Sequence, residues 1–146
     1  MRLIPPIWLL VSLIAIYAID RFLPAITLYA RPWTRFGYAV MVFGFLIVLY
    51  CATQFRKNKT TIHPGHTPST LMTTGIYRLS RNPIYLAMAI ILLGAALTTA
   101  NLVTFLIPFI FIGIITELFI KPEERILAQE FGEPYAQYQH QTRRWI

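Results

Sequence analysis

The fold is decided by residues 84–120, which read IYLAMAIILLGAALTTANLVTFLIPFIFIGIITELFI. Two apolar segments, residues 84–100 and 102–120, each have the length that is needed to cross the hydrocarbon core of a bilayer as a helix. Only the few residues around Thr98–Asn101 can form the turn between them. The two segments are therefore predicted to be antiparallel transmembrane helices in a tight hairpin.

Two further apolar segments precede this hairpin, at about residues 3–19 and 37–55. Residues 20–36 between them are a mixed stretch that is interrupted by prolines and is not expected to cross the membrane. The composition agrees with a membrane protein, because 56% of the 146 residues are hydrophobic and only six are acidic. We predict an all-α integral membrane bundle of about four transmembrane helices, with residues 1–146 in a single domain.

The polar residues are concentrated in a loop, residues 56–83, and in a tail, residues 121–146. In the tail, Ile126, Leu127 and Phe131 recur at helical spacing, which predicts an amphipathic helix. Both polar segments lie at the same membrane surface if the chain crosses the bilayer four times.

The Lys and Arg residues give the predicted orientation. With four spans, ten of them lie on the side of the two termini and the long loop, and three lie on the other side. Basic residues accumulate on the cytoplasmic side of membrane proteins, so both termini are predicted to be cytoplasmic. The net charge of +7 is explained by this distribution, and a nucleic-acid partner is not expected.

The hairpin should bring together two polar segments that are distant in sequence, Arg81-Asn82-Pro83 and Pro122-Glu123-Glu124. A guanidinium, an amide and two carboxylates would then meet at the cytoplasmic surface, in a site that opens toward lipid. Structural explanations compete with this hypothesis. Arg78 and Arg81 could anchor the chain to lipid phosphates, and the two glutamates could be ordinary charges at a helix N-terminus.

Three other polar features have structural explanations. Glu117 lies within the fourth span, but an ion pair with Lys121 one helical turn later accounts for it. His63 and His66 lack a nearby third ligand, so no metal site is predicted. Cys51 lies in an apolar segment and is interpreted as a small buried or lipid-facing side chain.

Three elements of the sequence resemble the signature of the isoprenylcysteine carboxyl methyltransferase and phospholipid methyltransferase superfamily. They are residues 68–86, PSTLMTTGIYRLSRNPIYL, the pair Glu123-Glu124, and residues 131–138, FGEPYAQY. The superfamily has a Leu-x-x-x-Gly-x-Tyr element, an Arg-His-Pro or Arg-Asn-Pro element followed by x-Tyr, a Glu pair and a Phe-Gly-x-x-Tyr-x-x-Tyr tail. The resemblance covers roughly residues 55–146, and the first two spans match in hydropathy alone.

The resemblance implies a membrane enzyme that binds S-adenosylmethionine from the cytosol and methylates a lipid or lipidated small molecule from the bilayer. It also implies residence in the plasma (inner) membrane of a prokaryote, and no metal. The implied catalytic residues are Arg81 and Glu124. The implied cofactor-binding residues are Thr74, Gly75, Ile76, Tyr77, Asn82, Pro83, Tyr85, Glu123 and Glu124.

The chemistry of these residue types agrees with that assignment. A carboxylate such as Glu124 would hold the cationic amino-acid end of the cofactor, Gly75 would allow close backbone approach, and Arg81 would hold an anionic group of the acceptor. If the acceptor is an amine, Glu117 or Glu124 would be the base.

The identity of the acceptor stays open at the level of sequence. Asn82 stands where the eukaryotic prenylcysteine enzymes have His, which weakens any inference about the acceptor. A carboxylate on a lipidated cysteine is favoured, and the alternatives are a phospholipid amine, a lipophilic alcohol or thiol, or a non-catalytic membrane scaffold with the same fold.

Overall fold

The structure is a computed structural model that describes residues 4–23, 26–29, 31–57 and 70–146. The described residues form helices and their connections. The α-helices are α1 (Pro5–Phe22), α2 (Arg31–Lys57), α3 (Pro83–Thr99), α4 (Leu106–Ile115), α5 (Lys121–Phe131) and α6 (Glu133–Gln141). Two 3₁₀ helices, Gly75–Arg78 and Leu102–Phe105, precede α3 and α4, and a π-helical turn, Thr116–Ile120, joins α4 to α5.

The lengths and surfaces of the helices confirm an all-α membrane bundle. In the described part of the chain, Pro5–Phe22, Trp33–Lys57 and Leu102–Phe131 are long and apolar enough to cross a bilayer. Helix α3 is also apolar but has 17 residues, the lower limit for a span. Large apolar side chains on α1 and α2 point away from the bundle, as expected for contact with lipid. Examples are Leu10, Ile14, Phe22, Phe43 and Leu46.

The second membrane helix begins earlier than the sequence predicted. Helix α2 starts at Arg31 instead of residue 37, because Pro32 stands in its first turn, where the missing N–H of a proline disrupts no helical hydrogen bond. The segment that leads to α2 forms backbone hydrogen bonds with the turn between α3 and α4. Leu28 N donates to the Ala100 carbonyl at 2.9 Å, and Leu102 N donates to the Ile26 carbonyl at 3.1 Å.

The predicted hairpin between α3 and α4 is confirmed. Helix α3 ends at Thr99, and Ala100 has a left-handed φ of 53° that reverses the chain. The Asn101 carboxamide oxygen then accepts from Val103 N at 3.1 Å and so caps the 3₁₀ helix that leads into α4. The start of α3 and the end of α4, where the candidate site lies, are thereby placed side by side.

Helices α2 and α3 make backbone contact through glycines. A Cβ atom on Gly94 would lie 2.7 Å from the Gly37 carbonyl oxygen, and one on Gly37 would lie 2.5 Å from the Gly94 carbonyl oxygen. Farther along α2, a Cβ on Gly44 would lie 2.9 Å from the Ala87 carbonyl oxygen. Close approach at small residues is a common way to pack helices in membranes, where lipid removes the hydrophobic driving force.

The helix of the fourth span continues past its expected end at Ile120. Its backbone stays helical through the turn Thr116–Ile120 and into α5. In a regular α-helix, the ring of Pro122 would clash with the carbonyl of Leu118, and the wider π-helical turn relieves this clash. A helix of 30 residues, Leu102–Phe131, is roughly 45 Å long, so α5 extends beyond a ~30 Å hydrocarbon core.

The glycine contact leads to a test of the packing. Gly94→Ala should destabilise the protein by about 2 kcal/mol, because the new methyl group would overlap the backbone of α2. The matched control is Gly113→Ala in α4, where an added Cβ has no atom within 4 Å. Thermal unfolding in detergent should show a lower midpoint for Gly94→Ala alone. Equal midpoints for the two variants would contradict the close contact.

Candidate active site

The loop before α3 is held in place by aromatic side chains. Tyr77 is buried in the 3₁₀ helix Gly75–Arg78, and its ring meets the Phe55 ring edge-on, with centroids 6.1 Å apart. From α6, the Tyr138 hydroxyl donates to the Tyr77 carbonyl at 2.6 Å. Tyr135 is also buried in this cluster, which therefore attaches the loop to both α2 and α6.

Residues 74–76 lie closer to the surface of the same loop. Thr74 and Gly75 are exposed, and Ile76 is half-buried. Gly75 has a φ of 62°, in the left-handed region that favours glycine. Among the described residues, an added Cβ would meet only the Tyr50 hydroxyl, at 3.4 Å. The left-handed turn of the loop therefore favours glycine at this position, and the backbone of Gly75 is exposed to a ligand.

Glu124 lies between two guanidinium groups, as the predicted meeting of the two polar segments requires. Arg144 binds both carboxylate oxygens, with Nε 2.9 Å from Oε1 and Nη2 2.7 Å from Oε2. Arg81 Nη2 lies 3.3 Å from Oε1. The side chains of Glu124 and Arg81 are only 12% and 11% exposed, so this is a largely buried ion cluster, in which charges must be paired.

The last part of the tail, residues 142–146 after α6, runs across the start of α3. Arg81 N donates to the Arg143 carbonyl at 3.0 Å, and the Asn82 amide donates to the Arg144 carbonyl at 3.1 Å. The Ser80 hydroxyl lies 3.3 Å from the same carbonyl. Asn82, a predicted cofactor residue, thus holds the tail, and Pro83 is buried in the first turn of α3.

Sequence reasoning missed Arg144, Ser80 and Trp145. The Trp145 indole N–H donates to the Thr116 hydroxyl at 3.3 Å, and its ring packs against the core of the bundle. These contacts connect residues that are 20 to 64 positions apart in the chain. No local spacing indicates such pairs, and Arg144 was counted only among the basic residues of the tail.

Glu123 is a second, partly buried carboxyl group with a different environment. The Tyr85 hydroxyl donates to Glu123 Oε1 at 2.7 Å. Burial raises the pKa of Glu123 to about 7, and the hydrogen bond from Tyr85 opposes part of this increase. Among the described residues, no Lys, Arg or His lies within ion-pair distance of Glu123. The site therefore contains one carboxylate that is neutralised and one that is not.

Several buried polar atoms of the site have no partner among the described residues. They are the hydroxyl of Tyr77 and Nε and Nη1 of Arg81, although the guanidinium of Arg81 also faces the Tyr135 hydroxyl. A buried donor without an acceptor is costly, so such atoms commonly mark the place of a ligand or water. Arg81 thus presents two donors without a partner among the described residues, and Tyr85, four residues later in the chain, binds Glu123.

The remaining predicted polar features have the following positions. Glu117 forms the expected ion pair with Lys121 at 2.5 Å, and both side chains are exposed. Arg78 is exposed, and Cys51 is fully buried. Within the described ranges, no three His, Cys, Asp or Glu side chains are grouped so that they could hold a metal ion, and His63 and His66 lie outside those ranges.

A comparison with known families identifies the family of the chain. The family described as phospholipid methyltransferase matches residues 33–134, which include the Gly75–Arg78 loop, the α3–α4 hairpin and both glutamates. A search of curated proteins found no match. The family match covers more than half of the chain and includes Arg81 and Glu124 of the ion cluster. The chain therefore belongs to the phospholipid methyltransferase family, whose members are membrane methyltransferases.

Proposed function

We propose that this protein transfers a methyl group from S-adenosylmethionine to a lipophilic acceptor at the cytoplasmic surface of the membrane. One observation carries the proposal: among the described residues, two buried donors of Arg81 have no partner, and the partly buried carboxyl group of Glu123 in the same site has no cation within ion-pair distance. A ligand that is both anionic and cationic would satisfy both groups. The amino-acid part of S-adenosylmethionine has this character, and the family normally uses this cofactor.

The residues of the site suit the cofactor. Nε and Nη1 of Arg81 would bind its carboxylate through charge-assisted hydrogen bonds, and Glu123 would bind its cationic part. The Tyr77 hydroxyl offers a further polar contact, and the exposed backbone at Gly75 allows close approach. When bound, the cofactor supplies an electrophilic methyl group.

The sequence-based assignment changes for Glu124. Its two oxygens already accept hydrogen bonds from Arg144 and face Arg81, so its charge is compensated within the chain. We therefore assign to Glu124 the binding of Arg81, and to Glu123 the binding of the cofactor's cation. Tyr85 orients Glu123 through its hydroxyl group. Asn82 supports the site from behind by holding the tail.

The acceptor would enter from the bilayer beside the cytoplasmic end of the hairpin. The family description favours a phospholipid, whose head-group amine must lose a proton during methylation. A carboxylate on a lipidated molecule needs no base and is the second candidate. Glu123 is the more suitable base, because Glu117 is exposed and bound to Lys121 and Glu124 is neutralised.

The orientation follows from the basic residues around the site. Eight of the described Lys and Arg residues belong to the site end of the bundle, in the end of α2, the loop and the tail. They are Arg56, Lys57, Arg78, Arg81, Lys121, Arg125, Arg143 and Arg144. Because basic residues accumulate on the cytoplasmic side, we propose that this end and both termini face the cytoplasm.

Calorimetric binding of S-adenosylhomocysteine to the detergent-solubilised protein tests the proposed function. We expect a dissociation constant in the micromolar range, about −8 kcal/mol. Arg81→Gln should weaken binding about tenfold or more, because it removes charge-assisted hydrogen bonds. Arg78→Gln is the matched control in the same loop, since Arg78 is exposed. An affinity that is unchanged in a folded Arg81→Gln sample would remove Arg81 from the site.

The acidity of Glu123 predicts two opposite pH effects. Its pKa is raised from 4.5 to about 7, so over this range the ligand-free folded state retains a proton that the unfolded chain has lost, and thermal stability should decrease as the pH rises from about 4.5 to about 7. Affinity for S-adenosylhomocysteine should instead increase over the same range, because the carboxylate form binds the cation. Glu123→Gln should flatten both curves. A pH dependence that persists in this variant would assign the titration to another group.

A further inference from the structure

Arg144 belongs to a segment that the family match does not include, since the match ends at residue 134. Its guanidinium nevertheless forms the strongest contacts in the ion cluster. Nε and Nη2 bind the two oxygens of Glu124 at 2.9 and 2.7 Å, a bidentate arrangement. Arg81 reaches the same carboxylate through Nη2 alone, at 3.3 Å.

The way in which the two arginines share the carboxylate of Glu124 determines which N–H groups of Arg81 stay free. A guanidinium is a planar fork with five N–H groups, and its favoured pairing with an isolated carboxylate is bidentate. If Glu124 had no other partner, Arg81 would bind its two oxygens through two guanidinium nitrogens instead of one. Because Arg144 binds both oxygens, Arg81 contacts Oε1 through Nη2 alone, and its Nε and Nη1 have no partner among the described residues.

The tail itself is held independently of the Arg144 side chain. The carbonyl groups of Arg143 and Arg144 accept hydrogen bonds from Arg81 N and from the Asn82 amide. Trp145 is anchored in the core of the bundle and donates to the Thr116 hydroxyl. The loss of the Arg144 guanidinium should therefore leave the tail in position and change mainly the pairing of Glu124.

We propose that Arg144 is a positioning residue for the binding of the cofactor's carboxylate. It acts through Glu124, and its bidentate pairing with that carboxylate keeps one edge of Arg81 available for an anionic ligand. This inference rests on the proposed function, in which Arg81 binds the carboxylate of S-adenosylmethionine. Without Arg144, Arg81 would pair with Glu124 and lose the free edge.

A comparison of two ligands separates positioning from a general structural effect. The first is S-adenosylhomocysteine, and the second is S-adenosyl-3-thiopropylamine, which has the same structure without the carboxylate. Arg144→Gln should weaken binding of the first about tenfold and change binding of the second by less than about twofold. Arg144→Lys keeps the charge without the planar fork and should restore part of the affinity. The control Arg143→Gln removes a neighbouring exposed arginine and should change neither affinity.

The same measurement in an Arg81→Gln background completes the test. If Arg144 acts through Arg81, adding Arg144→Gln to Arg81→Gln should cause no further loss for S-adenosylhomocysteine. Equal weakening of both ligands by Arg144→Gln, or additive losses in the double variant, would overturn the positioning role while Arg81 keeps its own. If Arg81→Gln alone leaves the preference for the carboxylate ligand intact, the proposed function of Arg81 fails as well.

Discussion

A carboxylate that is withdrawn from water must be neutralised, and the way Glu124 is neutralised organises the end of the bundle at which α3 begins. Its partners come from the loop before α3 and from the tail, so one buried charge joins three segments that are distant in sequence. Removing Glu124 would leave two guanidinium groups without their shared counter-ion, which is strongly unfavourable. The contacts of Arg81, Asn82 and Ser80 with the tail extend the same junction along the backbone.

The helices place this junction at the membrane surface. Close glycine contact fixes α3 against α2, and the tight turn at Ala100 brings α4 back beside α3. The π-helical turn carries the fourth helix past Pro122 without a break, so that α5 presents its two glutamates beyond the apolar segment. One of them pairs with arginines and the other with the Tyr85 hydroxyl. Two adjacent residues thereby acquire different electrostatic environments.

Much of this arrangement could be predicted from local sequence features. The lengths of the apolar segments indicated the helices, and the short polar turn indicated the hairpin, which in turn predicted that Arg81 and Glu124 would meet. The start of α2 was missed because prolines were interpreted as breaks, although Pro32 lies where a helix tolerates one. The continuation into α5 was missed because Pro122 suggested a new helix. Arg144 could not have been predicted, because its position depends on the path of the tail across the folded bundle.

The most direct test of the account is methyl transfer in membranes that contain the protein. Membranes incubated with S-adenosylmethionine tritiated on its methyl group should acquire tritium in the lipid fraction extracted by organic solvent. The transfer should be lost with Glu123→Ala and retained with the exposed-site control Arg125→Gln. Base treatment would then separate a methyl ester, which releases volatile methanol, from an N-methylated lipid, which does not. Full transfer by a folded Glu123→Ala variant, or none by the wild-type protein in these membranes, would contradict the central claim.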